Sequence, residues 1–380
     1  MELDLKRFDW LLLGAALTIS GLGLLVVASA TGAVPGKAST WGQAERQAVF
    51  AFVGLLAGAA LVALDPRRLA LWWRPLYALN LLLLVAVKLV GVSARGAERW
   101  IGLGPLSFQP AELSKLLVIL TLAALLSENR SETVERGPRV RPWREIGGPA
   151  LALAVPILLI LAQPDLGTSL VFVAIGLAAL YTAGFSGWLV GGGALGGLLA
   201  AAGVIALQLR AHLDFPLKQY QLERLIVFLN PVAYAATGGY QILQSQMAVG
   251  SGSLFGYGLF TPTSALYVPE SHTDFIFTVV ASQLGLVGGL SLLALYALLL
   301  WRGWKISAEA QEPFYQVMAA GITAMIAVQV VVNVGMVTGI MPVTGIPLPM
   351  VSVGGSSLVV NLASVGLLES VAVHRKKLAF

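Results

Sequence analysis

Ten apolar runs follow one another along the chain, with polar, Gly- and Pro-rich punctuation between them. Each is close to the length that crosses a bilayer, about 20 residues. They lie near 9–31, 46–64, 73–92, 110–127, 147–163, 167–185, 188–209, 274–300, 314–340 and 352–373. The pattern predicts an all-α polytopic membrane protein with about ten transmembrane helices, a single integral membrane domain over 1–380. Only Gln163-Pro164-Asp165-Leu166-Gly167 separates the fifth run from the sixth, which predicts a tight hairpin or one broken helix. The first run follows Lys6 and Arg7 and contains Ala28-Ser29-Ala30, so it resembles a signal peptide. Its apolar stretch exceeds the usual roughly 7–15 residues of such a leader, and it reads as an uncleaved first span.

One large extracellular loop, about 210–273, separates the seventh and eighth spans. Loops of that length are usually functional or disordered. Residues 222–229 and 240–249 carry helical periodicity. They are expected to lie on the membrane surface, with Tyr220, Phe228 and Tyr240 at the interface. Residues 250–258 read as a flexible turn. No internal repeat is visible, which weighs against the inverted-repeat transporters.

Composition narrows the class. The chain is 57% hydrophobic and 11% charged, where a soluble domain carries about 25% charged residues. Basic residues fix the orientation. With the N-terminus inside, inner segments hold Arg67, Arg68, Arg74, a cluster over 130–144, Arg302, Lys305 and Arg375 to Lys377. Outer segments hold fewer: Lys37, Arg46, Arg95, Arg99, Arg210, Lys218 and Arg224. That asymmetry satisfies the positive-inside rule and places both termini in the cytoplasm. The formal charge of +5 therefore belongs to membrane topology, and no nucleic-acid partner is expected. The basic stretch 128–145 reads as a solvated loop, with anionic lipid as its alternative contact. The absence of cysteine excludes disulfides and thiolate metal sites. His212, His272 and His374 are too scattered to form a metal cluster.

Charges inside or beside spans are costly and mark sites by default. Here they are Lys88, Glu112, Lys115, Asp165, Asp274 and Glu369. Glu112 and Lys115 share a helix face and can pair. Such a pair either makes a buried span tolerable or forms one wall of a substrate cavity, with Lys115 meeting phosphate. Asp165 precedes Gly167 at a helix break and suits an N-cap. Asp274 also stands where a helix begins, with Thr273 as a competing cap. Its company of Glu270, His272 and Thr273 under the large loop points to chemistry more than to capping. The last outer segment, Asn333 to Ser357, holds Pro342, Pro347 and Pro349. Irregular backbone at membrane depth lines a cavity or packs on protein. Gly354-Gly355-Ser356-Ser357 opens the tenth span and offers an anion site in principle, although such a turn is often only a turn.

Five segments in order carry a resemblance. They are Arg99-Trp100-Ile101 with Phe108-Gln109-Pro110-Ala111-Glu112-Leu113-Ser114-Lys115; Gln163-Pro164-Asp165-Leu166-Gly167-Thr168; and Gly239-Tyr240-Gln241 with Gln244-Ser245. The others are Pro269-Glu270 with His272-Thr273-Asp274-Phe275-Ile276-Phe277, and Pro342 to Pro349 with Ser352 and Gly354 to Ser357. Together they resemble the SEDS (shape, elongation, division and sporulation) family, nearer its elongation branch than its division branch. The resemblance implies ten transmembrane helices, a large extracellular loop between the seventh and eighth, and polymerisation of lipid II into the nascent glycan strand of peptidoglycan. It implies an essential carboxylate at Asp274, a class B penicillin-binding protein as partner, and a place in the bacterial cytoplasmic membrane facing the periplasm. One departure stands out: the family usually has two acidic residues where this chain has Ser282 and Gln283, a change expected to be structural.

On that footing Asp274 is the expected base for the attacking sugar hydroxyl. Arg99 and Lys115, then Arg210 and Arg224, are candidate clamps for the departing phosphates. Glu112, Asp165, His272, Thr273, Ser356 and Ser357 complete the expected substrate-binding set. No cofactor is required by the sequence, though a divalent cation such as Mg2+ or Mn2+ beside Asp274 could assist. Two other classes stay open: a flippase or transporter of the lipid-linked precursor, and a non-catalytic scaffold for wall enzymes.

Overall fold

The computed structural model describes residues 7–32, 41–94, 97–103, 106–131, 143–211, 219–263 and 267–374. Lys6, Lys37, Arg95, His212, Lys218, Arg375 to Lys377, and the side chains of Tyr220 and of the basic cluster 130–144 lie outside it. Every apolar run is helical. In chain order the helices are α1 (Trp10–Ala30), α2 (Gly42–Ala63), a short α3 (Pro66–Leu71), α4 (Trp73–Val90), α5 (Pro110–Ser131), α6 (Gly147–Leu161), α7 (Leu166–Thr182) and α8 (Gly187–Ala211). After α8 come α9 (Gln219–Leu229), α10 (Gly239–Ser251), α11 (Ile276–Glu309), α12 (Pro313–Thr338) and α13 (Gly355–His374). Among the described residues eight helices are long and apolar enough to cross a membrane, while α6 and α7 are shorter apolar helices.

The bundle is not wholly helical. Strands β1 (Val92–Ala94), β2 (Ala97–Leu103) and β3 (Leu106–Phe108) form a small antiparallel sheet between α4 and α5. It is a small addition to an otherwise helical bundle. These strands are only three to seven residues long, so no sustained alternation marks them in the sequence. The sheet matters because β2 carries Arg99.

The core is centred on α5, α12 and α13, most of whose apolar length is buried. α12 packs on α5, α7 and α11, while α13 lies along α2. Small residues let α2 and α13 approach. A Cβ on Gly58 would stand 3.0 Å from the Leu362 carbonyl oxygen, and one on Gly366 would overlap the Gly58 backbone. In a membrane, such close packing replaces the hydrophobic drive between helices.

At the end where α1 starts, three helices are tied by charge. The Arg302 guanidinium on α11 grips both oxygens of Asp9, with Nε at 3.0 and 2.8 Å. Asp9 Oδ1 also caps α1 by accepting from the Leu12 amide at 3.1 Å, and the Asp9 amide donates to Glu369 on α13 at 2.9 Å. Nearby, Asp65 caps α3 through the Arg67 amide and accepts from the Tyr315 hydroxyl of α12 at 2.7 Å.

α11 is broken at Gly285, where φ is +69° and ψ is −168°, a conformation essentially reserved for glycine. The break strands backbone groups that an intact helix would pair among themselves. Residues 253–258 take up the vacancy. The amides of Tyr257 and Gly258 donate to the carbonyls of Ser282 and Gln283 at 3.1 and 2.9 Å. The amides of Leu286 and Val287 donate to the carbonyls of Ser253 and Leu254 at 2.9 and 3.0 Å. This corrects the flexible-turn reading of 250–258. Gly252 and Gly256 are needed because two backbones touch: a Cβ on Gly252 would overlap Ala281, and one on Gly256 would overlap Gln283. α10 differs from expectation too. Ile242, Ser245 and Ala248 are buried and the helix packs on α11 and α12, so it is docked on protein even though Tyr240 is exposed.

Candidate active site

Asp274 lies in the turn just before α11, half-buried. Neither it nor Thr273 caps that helix. Phe275 holds the cap position without a side-chain bond. Thr273 instead donates to the Glu270 carboxylate at 3.0 Å. Glu270 itself sits at φ +60°, uncommon outside glycine. The Thr273 and Phe275 amides both return to the Glu270 carbonyl, at 3.1 and 3.2 Å. Asp274 is thus presented on a tight, internally bonded turn, and the start of α11 does not depend on its side chain.

Three supports hold that turn from behind. The Asn333 amide of α12 donates to the carbonyls of Asp274 and Ile346, both at 2.8 Å. The Ser352 hydroxyl donates to the Thr273 carbonyl at 2.6 Å and accepts from the Leu348 amide at 2.8 Å. The Val353 amide donates to the His272 carbonyl at 3.0 Å. Gln47 of α2 then holds the Ser352 carbonyl at 2.9 Å. Asn333 and Gln47 were missed as site residues by sequence reasoning. Their signal was an amide inside an apolar helix, where it must find partners.

The segment 342–346 faces Asp274. Gly345 has φ +77°, and a Cβ there would stand 3.3 Å from Asp274 Oδ2. One residue back, Thr344 lines a cleft of about 40 Å³ together with Arg99, Pro164, Leu166, Arg224 and Val343. Arg99 reaches into this cleft from β2. Its Nε donates to the Gln163 carbonyl at 3.2 Å, another of its nitrogens meets the Pro164 carbonyl, and Nη1 stands 3.6 Å from Asp165 Oδ2. Arg224 arrives from α9 and bonds the Val343 carbonyl at 3.4 Å. Asp165 caps α7 through the Thr168 amide at 3.0 Å, as its position suggested. Gly167 permits the close seat of that helix end, where a Cβ would stand 3.0 Å from the Thr344 carbonyl oxygen.

The other expected residues divide. Glu112 and Lys115 pair at 2.8 Å and are only 3% and 2% exposed, so the ammonium is directed at its own helix neighbour. Ser356 accepts from the Gln109 amide at 3.1 Å, and Ser357 accepts from Asn361. The Ser356 hydroxyl thus ties the β3–α5 junction to α13, while the Ser357 contact stays within α13. Arg210 ends α8, exposed, and does not line the cleft. Ser282 and Gln283 are fully buried. Gln283 accepts from Ser29 at 2.7 Å and donates to the Thr261 carbonyl at 3.1 Å.

Known proteins place this arrangement. Residues 9–377 match the family model described as cell cycle protein, FtsW/RodA/SpoVE. Peptidoglycan glycosyltransferase MrdB of Escherichia coli (strain K12) is 40% identical over 341 residues, covering 89% of this chain and 88% of the relative. Among solved structures, a chain from work on structural coordination of polymerization and crosslinking by a peptidoglycan synthase complex superposes with TM-score 0.77 at 34% identity. The match covers 96% of this chain and 97% of that one. The rod shape determining protein RodA of Thermus thermophilus superposes with TM-score 0.70 at 32% identity, covering 97% and 98%.

Proposed function

The chain belongs to the FtsW/RodA/SpoVE family, on its RodA-like side, and from that premise we propose that it is a peptidoglycan glycosyltransferase polymerising lipid II during wall elongation. The observation that carries the site assignment is Asp274. It is a half-buried carboxylate at a helix mouth, not used as the helix cap, fixed from behind by Asn333 and Ser352 and facing Gly345.

The 4-hydroxyl oxygen of the acceptor sugar attacks C1 of the donor. The C1–oxygen bond to the lipid pyrophosphate breaks, and the hydroxyl proton passes to Asp274 as general base. Arg99 and Arg224, which share the cleft beside Thr344, stabilise the charge that grows on the departing pyrophosphate. Lys115 has the weaker claim, because Glu112 neutralises it in the interior. Among the described residues no three acidic or histidine side chains are grouped for a metal. Mg2+ is commonly held by one or two carboxylates plus substrate phosphates, so Asp274 with the pyrophosphate fits that mode. In this reading the site faces the periplasm, both termini are cytoplasmic, and the lipid tail stays among the helices. The partner is a class B penicillin-binding protein that crosslinks the product.

Purified protein supplied with lipid II, alone and with the transpeptidase, tests this. Asp274→Ala is expected to abolish polymer while the protein keeps its elution and melting behaviour. Polymer at the normal rate would remove Asp274 as base. Translocated lipid II without polymer would favour a transporter, and neither product a scaffold.

A further inference from the structure

Asn333 stands near the end of α12, fully buried. α12 packs on α5, α7 and α11, so the side chain has a rigid mount. Beyond it the chain reverses at Gly339, where φ is +78°, and returns far enough for Ile346 to meet Asn333. Nδ2 of Asn333 donates to two carbonyls, those of Asp274 and Ile346, each at 2.8 Å. Its Oδ1 meets no donor among the described residues. A buried amide oxygen left without a donor is costly, and the two donated bonds must offset it. The amide cannot be turned over, because Oδ1 would then face two carbonyl oxygens.

The two carbonyls belong to opposite walls of the site. One wall is the turn that presents Asp274. The other is the strip 342–346, which meets both parts of the chemistry. Its Gly345 lies so close that a Cβ would stand 3.3 Å from Asp274 Oδ2. Its Thr344 lines the cleft shared by Arg99 and Arg224, and its Val343 carbonyl accepts from Arg224 at 3.4 Å.

We propose that Asn333 is a positioning residue for the glycosyl transfer. One side-chain amide fastens the base-bearing turn and the strip beside the two arginines to a common point on α12, and so sets the separation between proton acceptance and charge stabilisation. This rests on Asp274 being the base. The role needs two donors from one planar group, which an amide supplies and an apolar side chain of similar volume does not. The fixing suits base catalysis, because misplacement by about 1 Å can cost on the order of a hundredfold in rate.

The test uses the purified full chain with lipid II, with Asp274→Ala as the control for the underlying reading. If that control polymerises at the normal rate, the base assignment falls and this proposal with it. With the control inactive, only the positioning role is at stake. Asn333→Leu, which keeps no donor, is then expected to lower kcat by about tenfold or more while KM stays within about twofold. Asn333→Thr, which keeps one donor, is expected to fall between it and wild type, at a loss of about threefold or more. Gly366→Leu loosens the α2–α13 contact and serves as the stability control. At a temperature where all are folded, it is expected to hold kcat within about twofold of wild type. Should Asn333→Leu fail to fold, Asn333→Thr carries the test alone. A kcat within about twofold of wild type in every folded Asn333 variant overturns the proposal. So does a rise in KM with kcat unchanged, and so does a loss of kcat that Gly366→Leu reproduces at the same melting temperature.

Discussion

Glu112 and Lys115 pose the sharpest question at the level of single residues. Removing one member of a buried ion pair strands the other, which costs about 3–5 kcal/mol, whereas replacing both with apolar groups of similar volume is often neutral. Lys115→Met alone is therefore expected to lower the melting temperature in detergent, and Lys115→Met with Glu112→Leu to restore it. If polymerisation returns with stability, the pair is structural. If the stable double variant stays inactive, the ammonium acts on substrate. The sequence made the pairing legible through its three-residue spacing, and the Asp165 cap through the proline before it. It could not reveal that Arg99 lies against Asp165, or that Arg224 shares its cleft. Those contacts join residues from a strand, a helix cap and a distant helix, and nothing local encodes them.

The helices were legible because apolar length alone writes them. What escaped notice were the departures: the hairpin carrying Arg99, the break at Gly285 and the seating of 253–258 within it. A lone glycine in an apolar run ordinarily signals close packing. Only the unpaired carbonyls and amides on each side, seen in three dimensions, reveal that another segment completes the ladder. The α2–α13 contact is the opposite case, where spacing is the mechanism. A side chain at Gly366 would meet the Gly58 backbone, so Gly366→Leu is expected to cost about 1–3 kcal/mol by overpacking. Thermal unfolding in detergent reads this, and Gly366→Ala should fall between the variant and wild type.

Taken whole, the chain is a multi-pass membrane protein fastened at both ends of its bundle, with different chemistry at each. One end holds the Asp274 turn through neutral amides and hydroxyls, the other uses charge. There burial raises the Asp65 carboxyl, but the Arg67 amide, the Tyr315 hydroxyl and the charges of His374 and Arg67 more than offset it, leaving it below its ordinary 3.8. A depressed carboxylate contributes stability that is fully present above its unfolded value and is lost as pH falls through the folded one. Wild type is therefore expected to out-melt Asp65→Asn above about pH 4 and to converge with it in stronger acid. The Asp9 fastening carries a consequence for biogenesis. Its guanidinium partner lies 293 positions downstream and its carboxylate partner 360. At roughly 5–20 residues per second, the leading helix waits on the order of tens of seconds for its counter-ion to emerge from the ribosome. A product truncated before Arg302 would never receive it, and would stay in the bilayer bearing an unanswered acid that the cell's proteases can recognise.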